Sequence, residues 1–283
     1  MQHVTVLGSG TMGAGIAQVS AVFGYDVMLY DIDETALARA QASIFDSIDK
    51  GVARGKTAPD VAEAAKERLQ FTIDLGTAAA NADLIIEAVP EIMSLKKELF
   101  AQLDALAPEW AILASNTSSL SISALAAVTD RPDRVIGLHF FNPAHIMKLV
   151  EVITADETSP NTIAACEAYC QQLQKTTVRC SDTPAFIVNR VARPFYLEAL
   201  RLLGENAASP AEIDKLMKSV GFRMGPFELI DLVGCDVNFA VTESVYNAYF
   251  QDPKYRPHVI QKRMVESGKL GRKSGQGFYK YEK

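Results

Sequence analysis

The chain has 283 residues, of which 48% are hydrophobic and 22% are charged, a composition typical of a globular protein with one large domain or two smaller ones. Its 28 Lys and Arg residues against 34 Asp and Glu residues give a net charge of -6, which argues against a nucleic-acid-binding protein. No apolar run approaches the roughly 18 residues that cross a bilayer, and the start, MQHVTVLGSG, lacks the pattern of a signal or transit peptide, so we expect a cytoplasmic protein, most simply a bacterial one.

The first half of the chain begins with a strand, a helix and a second strand. Residues 3–8 are a short apolar run rich in β-branched side chains, 12–23 have a helical pattern, and 26–30 have the pattern of a strand. This βαβ unit is expected to have a right-handed crossover. Residues 34–68 then carry two helical patterns separated by the breaker GKTAP at 55–59, which predicts an inserted helical hairpin.

Further strand candidates alternate with helical stretches such as 93–106 and 160–174. The candidates are 69–73, 84–89, 111–114, 135–140, 149–153 and 177–179. This alternation is typical of an open α/β sheet with helices on both faces. We therefore predict an α/β fold whose N-terminal part is a Rossmann-like, doubly wound, mostly parallel sheet.

The pattern changes after SDTPAF at 181–186. No strong strand pattern follows until the short GFYKY at 277–281. Helical patterns cover 187–204, 210–220, 226–233, 236–250 and 256–267. We therefore expect two domains, an α/β domain over 1–183 and an all-α domain over 184–283.

The four cysteines form no C-x-x-C pair. Cys166 and Cys170 lie four apart and share a helix face, which would supply at most half of a metal site. Because no second Cys or His pair lies nearby, we interpret them as packing residues and expect no metal.

The segment Gly8-Ser9-Gly10-Thr11-Met12-Gly13 is a G-x-G-x-x-G motif. The motif follows a predicted strand and begins a predicted helix, and Asp31 lies at the end of the next predicted strand. This arrangement is the context of a dinucleotide-binding site. Gly8 allows the tight turn, Gly10 lets the pyrophosphate approach the backbone, and Gly13 lets helix and strand pack closely. The helix N-terminus offers unpaired N–H groups to the phosphates.

Asp31 favours NAD over NADP, because its carboxylate accepts hydrogen bonds from ribose hydroxyls and repels a 2′-phosphate. No Arg directly follows Asp31 in the sequence. Two alternatives remain open from this motif alone. Flavin proteins share the fingerprint, and a glycine-rich turn can occur without a ligand.

His139 lies in VIGLHFFNP, at the end of a strongly predicted strand. If the chain turns near residue 145 and returns through KLVEVI, then His139 lies opposite Glu151 in a hairpin. A His–Glu pair orients the imidazole and fixes its tautomer, which makes His139 a candidate general base. The alternative is a core histidine paired with a strand glutamate.

Several motifs together resemble the L-3-hydroxyacyl-CoA dehydrogenase family, and its bacterial 3-hydroxybutyryl-CoA members most closely. They are LGSGTMG, SNTSSL, GLHFFNP, KLVEVI, DTPAFIVNR, MGPFELIDLVG and GQGFYKY, and they cover nearly the whole chain in the family's order. The resemblance implies NAD-dependent oxidation of an (S)-3-hydroxyacyl-CoA to the 3-ketoacyl-CoA. His139 would take the hydroxyl proton, Glu151 would orient it, and Ser118 and Asn189 would hold the substrate oxygens.

The resemblance also implies contacts to the two nucleotides. NAD would be bound by the glycine loop and by Asp31, Glu91, Lys96, Asn142 and Lys273. Coenzyme A would be bound on the helical hairpin by Ser47, Lys50, Arg54 and Lys56, and by Ser118. The alternative for the basic residues of the hairpin is a solvated helix face.

The family further implies a homodimer that forms through the C-terminal domain. Independently of the family, we hypothesise that the two domains close on the ternary complex, with 181–186 as the pivot. Two other functions stay open at this point. Crystallin-like relatives oxidise a gulonate-type sugar acid, which the basic hairpin argues against. A non-catalytic NAD-binding protein has no need of Ser118, His139, Glu151 and Asn189 together.

Overall fold

The structure is a computed structural model and describes residues 1–282. It divides into two compact units, Met1–Thr183 and a second unit that begins at Pro184. The first unit is built on a sheet and the second on helices. This confirms the predicted fold class.

The sheet of the first unit has eight strands within the described residues, in the order β3-β2-β1-β4-β5-β6-β7-β8. They are β1 (His3–Leu7), β2 (Asp26–Tyr30), β3 (Leu69–Thr72), β4 (Leu84–Glu87), β5 (Ile112–Ser115), β6 (Val135–Phe140), β7 (Leu149–Thr154) and β8 (Thr176–Ser181). Neighbouring strands are parallel except for β6 and β7, which are antiparallel. The carboxyl ends of β1, β2, β4, β5 and β6 therefore meet at one edge, where α/β sheets bind ligands.

Seven α-helices connect these strands in the part of the chain that the structure describes. They are α1 (Thr11–Val22), α2 (Glu34–Ala53), α3 (Pro59–Arg68), α4 (Leu75–Ala79), α5 (Met93–Leu106), α6 (Ile122–Ala126) and α7 (Pro160–Gln172). The pair α2 and α3 confirms the predicted helical hairpin. It begins where Asp33 accepts a hydrogen bond from the amide of Thr35, and α3 begins with Pro59, as helix starts prefer. The short helices α4 and α6 are not predicted by the sequence pattern.

The core of the first unit lies against the apolar strands. Strands β4 and β5 are buried at every residue, as is typical of central parallel strands. Helix α7 contributes Cys166, Tyr169 and Cys170 to this core, which confirms a packing role for the two cysteines. Burial raises the pKa of the Cys170 thiol to about 12, so this thiol stays protonated at neutral pH.

The second unit contains five α-helices among its described residues. They are α8 (Val188–Gly204), α9 (Pro210–Ser219), α10 (Pro226–Val233), α11 (Cys235–Ala248) and α12 (Val259–Glu266). The GFYKY segment is not a strand, since its only ladder contact is an isolated bridge between Gln276 and Lys280.

Two buried aspartates hold the last segment of the second unit in place. Asp231 accepts hydrogen bonds from the amides of Phe278 (3.0 Å) and Tyr279 (2.9 Å). Asp214 accepts the hydroxyl of Tyr279 (2.7 Å) and the amide of Phe227 (2.9 Å) at the start of α10. Buried carboxylates are costly unless they are hydrogen-bonded, so these contacts tie the segment to the helices.

Among residues 1–282, each helix is too short or too polar to cross a lipid bilayer.

Candidate active site

The glycine loop connects β1 to α1 at the ligand-binding edge of the sheet. Gly10 is the N-cap residue of α1 and makes no side-chain cap, and the first turn of the helix contains no acidic residue. The amides of this turn therefore remain available to an anion, which the helix dipole also favours.

Each of the three glycines has a different reason to lack a side chain. A Cβ on Gly13 would lie 1.7 Å from the carbonyl oxygen of Gly8, so only glycine lets α1 pack this close to the loop. Gly8 has a φ of +96° and a Cβ there would lie 2.7 Å from the Ala88 oxygen. Around Gly10, in contrast, nothing lies within 4 Å of the Cβ position. This open space is where the backbone of a dinucleotide site accepts a pyrophosphate.

A cavity of about 1000 Å³ extends from the glycine loop between the ends of β2 and β4. It is lined by the loop, by Asp31 and Arg39 on one side, and by Val89 and Pro90 on the other. Its size and its position at the end of β1 fit a dinucleotide. The residues present thus fit NAD.

Asp31 is held as an anion at the mouth of this cavity. Its Oδ2 accepts hydrogen bonds from the amide and the hydroxyl of Ser9, both at 2.7 Å, and its Oδ1 accepts one from the amide of Asp33 at 3.0 Å. Burial acts to raise the pKa of Asp31, but these hydrogen bonds outweigh it and leave the pKa below its usual value. A fixed negative charge here disfavours a 2′-phosphate.

Replacing Asp31 with Ala should therefore reduce the preference for NADH over NADPH by about two orders of magnitude, because charge-assisted hydrogen bonds are lost and a like-charge repulsion disappears. The measurement is kcat/KM for each nucleotide. Asp33→Asn removes a charge two residues away while it keeps the helix cap, and it should leave the preference nearly unchanged. An equal effect of both substitutions would contradict the role of Asp31.

Glu87 at the end of β4 and Glu91 and Lys96 after it form a charged group, in which the side chains of Glu87 and Lys96 are buried. Glu87, at the end of β4, is fully buried, and its Oε1 accepts hydrogen bonds from the ammonium of Lys96 (2.5 Å) and the amide of Val89 (2.7 Å). Its Oε2 accepts the hydroxyl of Ser115 on β5 (2.6 Å). The Lys96 Nζ also lies 3.3 Å from Glu91 Oε2. Glu87 was not predicted as a site residue, although an acid that ends an apolar strand is a recognisable signal.

Glu91 connects this group to the loop after β5. Its Oε1 accepts the hydroxyl of Thr117 (2.5 Å) and the amide of Ser118 (2.9 Å). The predicted residues Glu91, Lys96 and Ser118 are therefore brought together. Only 1% of the Lys96 side chain is exposed, whereas 38% of the Glu91 side chain is, so Glu91 is the member that can reach a ligand directly.

His139 and Glu151 face each other on β6 and β7. They are paired residues in the antiparallel register, which confirms the predicted hairpin. His139 Nδ1 lies 2.6 Å from Glu151 Oε2, and both side chains are buried. Because a carboxylate can only accept, Nδ1 carries the proton that it donates to Glu151. The ring of Phe141 packs against the imidazole, 4.4 Å between centroids.

The turn between β6 and β7 carries Asn142, which is exposed. The buried ammonium of Lys175 donates hydrogen bonds to the carbonyl oxygens of Ala144 (2.6 Å) and Met147 (2.8 Å) and so holds this turn. Burial lowers the pKa of Lys175. A contact of Asn142 with NAD stays a prediction.

Two predicted site residues lie in the second unit. Asn189 lies in the first turn of α8, and its carbonyl oxygen accepts a hydrogen bond from Arg193 Nε at 3.3 Å. Lys273 is exposed, and its Nζ lies 2.6 Å from Asp236 Oδ2. Their assigned roles stay predictions.

The predicted coenzyme A residues lie at the end of α2 and just after it. Lys50, Arg54 and Lys56 are exposed, and Ser47 is half-buried. Lys50 Nζ lies 2.6 Å from Asp46 Oδ2, so part of its charge is already compensated. Arg54 and Lys56 therefore offer the stronger attraction for a phosphate.

Comparisons with known proteins agree with this geometry. Residues 3–183 match the family model for the NAD-binding domain of 3-hydroxyacyl-CoA dehydrogenase, and residues 186–281 match the model for its C-terminal domain. The chain is 44% identical to the mitochondrial hydroxyacyl-coenzyme A dehydrogenase of Sus scrofa over 289 residues, which cover 100% of this chain and 92% of that protein. The structure of (S)-3-hydroxybutyryl-CoA dehydrogenase from Ralstonia eutropha is similar with a TM-score of 0.94 at 43% identity, and the match covers 100% of both chains.

A further relative is the 3-hydroxyadipyl-CoA dehydrogenase of Escherichia coli, which is 49% identical over 280 residues. The match covers 99% of this chain but only 59% of that protein, so the chain spans little more than half of its length.

Proposed function

Because the chain belongs to the 3-hydroxyacyl-CoA dehydrogenase family, we propose that it interconverts an (S)-3-hydroxyacyl-CoA and the corresponding 3-ketoacyl-CoA with NAD. The observation that carries this proposal is the pair of His139 and Glu151, with 2.6 Å between Nδ1 and Oε2. His139 lies on β6, one of the strands whose carboxyl ends form the ligand-binding edge, and Glu151 lies opposite it on β7.

His139 acts as the general base in this mechanism. The Nε2 lone pair takes the proton of the substrate's 3-hydroxyl as the C3–O bond becomes a carbonyl. Bound NAD supplies the acceptor for the hydride that leaves C3. Glu151 stabilises the imidazolium that results and keeps the ring oriented. In the reverse direction His139 returns the proton to the oxygen, so the same pair serves both directions.

Ser118 is proposed to hold a substrate oxygen through its hydroxyl. Glu91 fixes the loop that carries Ser118, since its Oε1 accepts hydrogen bonds from the Ser118 amide (2.9 Å) and the Ser118 hydroxyl (3.4 Å). Asn189 is proposed to hold a substrate oxygen as well, on the basis of the family resemblance.

The test of the function is turnover of acetoacetyl-CoA with NADH, followed by the loss of the nicotinamide absorbance. Folded protein that binds NADH but gives no turnover with any 3-ketoacyl-CoA would refute the assignment. Free 3-hydroxy acids and gulonate serve as comparison substrates, because a sugar-acid dehydrogenase of the same fold would prefer them.

We propose a short acyl chain, which is supported by the similarity to 3-hydroxybutyryl-CoA dehydrogenases. The similarity to a 3-hydroxyadipyl-CoA dehydrogenase supports a second candidate, a substrate with a terminal carboxylate. A series of kcat/KM values over chain length, with and without that carboxylate, separates the two.

Replacing Arg54 and Lys56 together with Ala should raise KM for acetoacetyl-CoA about ten-fold, because charge-assisted hydrogen bonds to the phosphates of coenzyme A are lost. The matched control is the same ketoacyl group on pantetheine, which lacks the nucleotide. Its KM should be unchanged by the substitutions. An equal rise for both substrates would place the effect outside nucleotide binding.

We also propose that the protein is a homodimer that uses its second unit. Several large apolar side chains of this unit are exposed, among them Leu216, Val220 and Phe250. Light scattering that gives a monomer at micromolar concentration would refute this. A cytoplasmic location stays a prediction.

A further inference from the structure

Three charged side chains meet behind the end of β4, and we call them the charge group: Glu87, Lys96 and Glu91. Glu87 and Lys96 are both buried, at 0% and 1% side-chain exposure, and their charged atoms lie 2.5 Å apart. Glu91 lies on the outer side of the same ammonium, at 3.3 Å. One buried cation is therefore shared by two carboxylates.

The hydrogen bonds of Glu87 use both of its oxygens. The amide of Val89 and the ammonium of Lys96 donate to Oε1, and the hydroxyl of Ser115 donates to Oε2. Ser115 in turn accepts the amide of Thr117 through its hydroxyl oxygen at 3.2 Å. Glu87 thus fixes two neighbouring strand ends and the position of the Lys96 ammonium between the two acids.

The net charge of the group follows from this sharing. With both carboxylates ionised and one ammonium, the group carries one negative charge. Lys96 lies closer to Glu87 than to Glu91, by 2.5 Å against 3.3 Å. The uncompensated charge is therefore on Glu91, which is also the exposed member.

The charge group lies next to the proposed nucleotide cavity. Val89 and Pro90, the two residues before Glu91, line that cavity on the side of β4. In doubly wound folds the two halves of a dinucleotide lie on either side of the first strand. Since Asp31 marks the adenosine half at β2, the nicotinamide half is expected at β4, beside Glu91.

We propose that Glu87 is a positioning residue that compensates most of the charge of Lys96, so that Glu91 presents a net negative charge to the nicotinamide end of the site and favours the oxidised, cationic ring. This inference rests on the proposed use of NAD. It concerns a residue that touches neither substrate nor cofactor and acts through Lys96.

The test measures the dissociation constants of NAD⁺ and NADH separately, by fluorescence titration in the absence of substrate. Glu87→Gln keeps the shape of the side chain and one of its two acceptor oxygens but removes its charge, so Lys96 compensates Glu91 and the group becomes neutral. The ratio of the NAD⁺ to the NADH dissociation constant should rise about five-fold, as expected for one unit charge across partly solvated protein.

The double variant Glu87→Gln/Lys96→Met distinguishes charge from packing. It restores one net negative charge, on Glu91, and should return the ratio to within about two-fold of wild type. A ratio that stays raised in the double variant, or an equal weakening of both nucleotides in Glu87→Gln, would overturn the proposal. If Glu87→Gln is too unstable to titrate, Glu91→Gln removes the same charge from the exposed side and must raise the ratio.

Asp104→Asn is the matched structural control. Asp104 lies on the same helix, α5, and its carboxylate accepts hydrogen bonds from Arg131 Nε (2.6 Å) and the amide of Asp130 (2.7 Å). Asp104→Asn should lower the melting temperature of the protein. It should not change the ratio of the NAD⁺ to the NADH dissociation constant. The titrations measure nucleotide binding and need no turnover. Failure to reduce acetoacetyl-CoA would therefore refute the proposed function, and the ratio of the NAD⁺ to the NADH dissociation constant would still decide the role of Glu87.

Discussion

Replacing His139 with Gln should lower kcat for acetoacetyl-CoA reduction by about 1,000-fold, within the range that general acid–base catalysis contributes. The dissociation constant of NADH should stay within about two-fold of wild type, because the glycine loop and Asp31 are unchanged. The glutamine amide can still donate to Glu151, so the buried carboxylate keeps a partner and the fold is retained.

The control for this prediction is His145→Gln, on the turn that follows β6. His145 is exposed and should be dispensable for turnover. Stopped-flow absorbance gives the rate, and fluorescence titration gives the affinity for NADH. If NADH binding were lost together with turnover in His139→Gln, then His139 would belong to the cofactor site and the assigned proton transfer would be wrong.

Replacing Gly13 with Ala should abolish NADH binding and lower the free energy of unfolding by about 3 kcal/mol, because overpacking at a close backbone contact forces the backbone to move. The new Cβ would lie 1.7 Å from the Gly8 oxygen. To avoid that clash, α1 must move away from the turn after β1, and this movement would disrupt the glycine loop that is proposed to bind the pyrophosphate.

Gly10→Ala provides the matched comparison, since it adds the same methyl group three residues earlier in the chain. No atom lies within 4 Å of that Cβ position, so the free energy of unfolding should stay within about 0.5 kcal/mol of wild type. The methyl group nevertheless occupies the space where a pyrophosphate approaches, and the affinity for NADH should fall by more than about ten-fold. Chemical denaturation and NADH titration of both variants check the pair. A stable Gly13→Ala protein with normal affinity would refute the packing argument.

Features that depend on neighbours in sequence could be predicted. The glycine loop is recognised by its spacing to Asp31, and the pairing of His139 with Glu151 follows from two strands that are equally spaced about a turn. The helices of the second unit follow from apolar periodicity. In each case the information lies within about thirty residues.

Features that depend on tertiary contacts could not be predicted. Glu87 reads as the polar end of a strand, but its hydrogen bond to Ser115 joins residues 28 apart on neighbouring strands. The sequence pattern predicts Lys96 as a surface lysine of a helix. Its burial depends on contacts with Glu87 and Glu91, which only the fold places beside it. Ala185 has a positive φ of 66° without being a glycine, so no sequence signal marks its left-handed backbone.

Strands β6 and β7 are consecutive along the chain, with only residues 141–148 between them, whereas every other pair of consecutive strands is joined through at least one helix. His139 and Glu151 are 12 residues apart, so closing the loop that brings them together costs little chain entropy. The proposed base and its carboxylate are thus joined by a short local connection, whereas the nucleotide cavity is built from strands and helices that longer crossovers bring together.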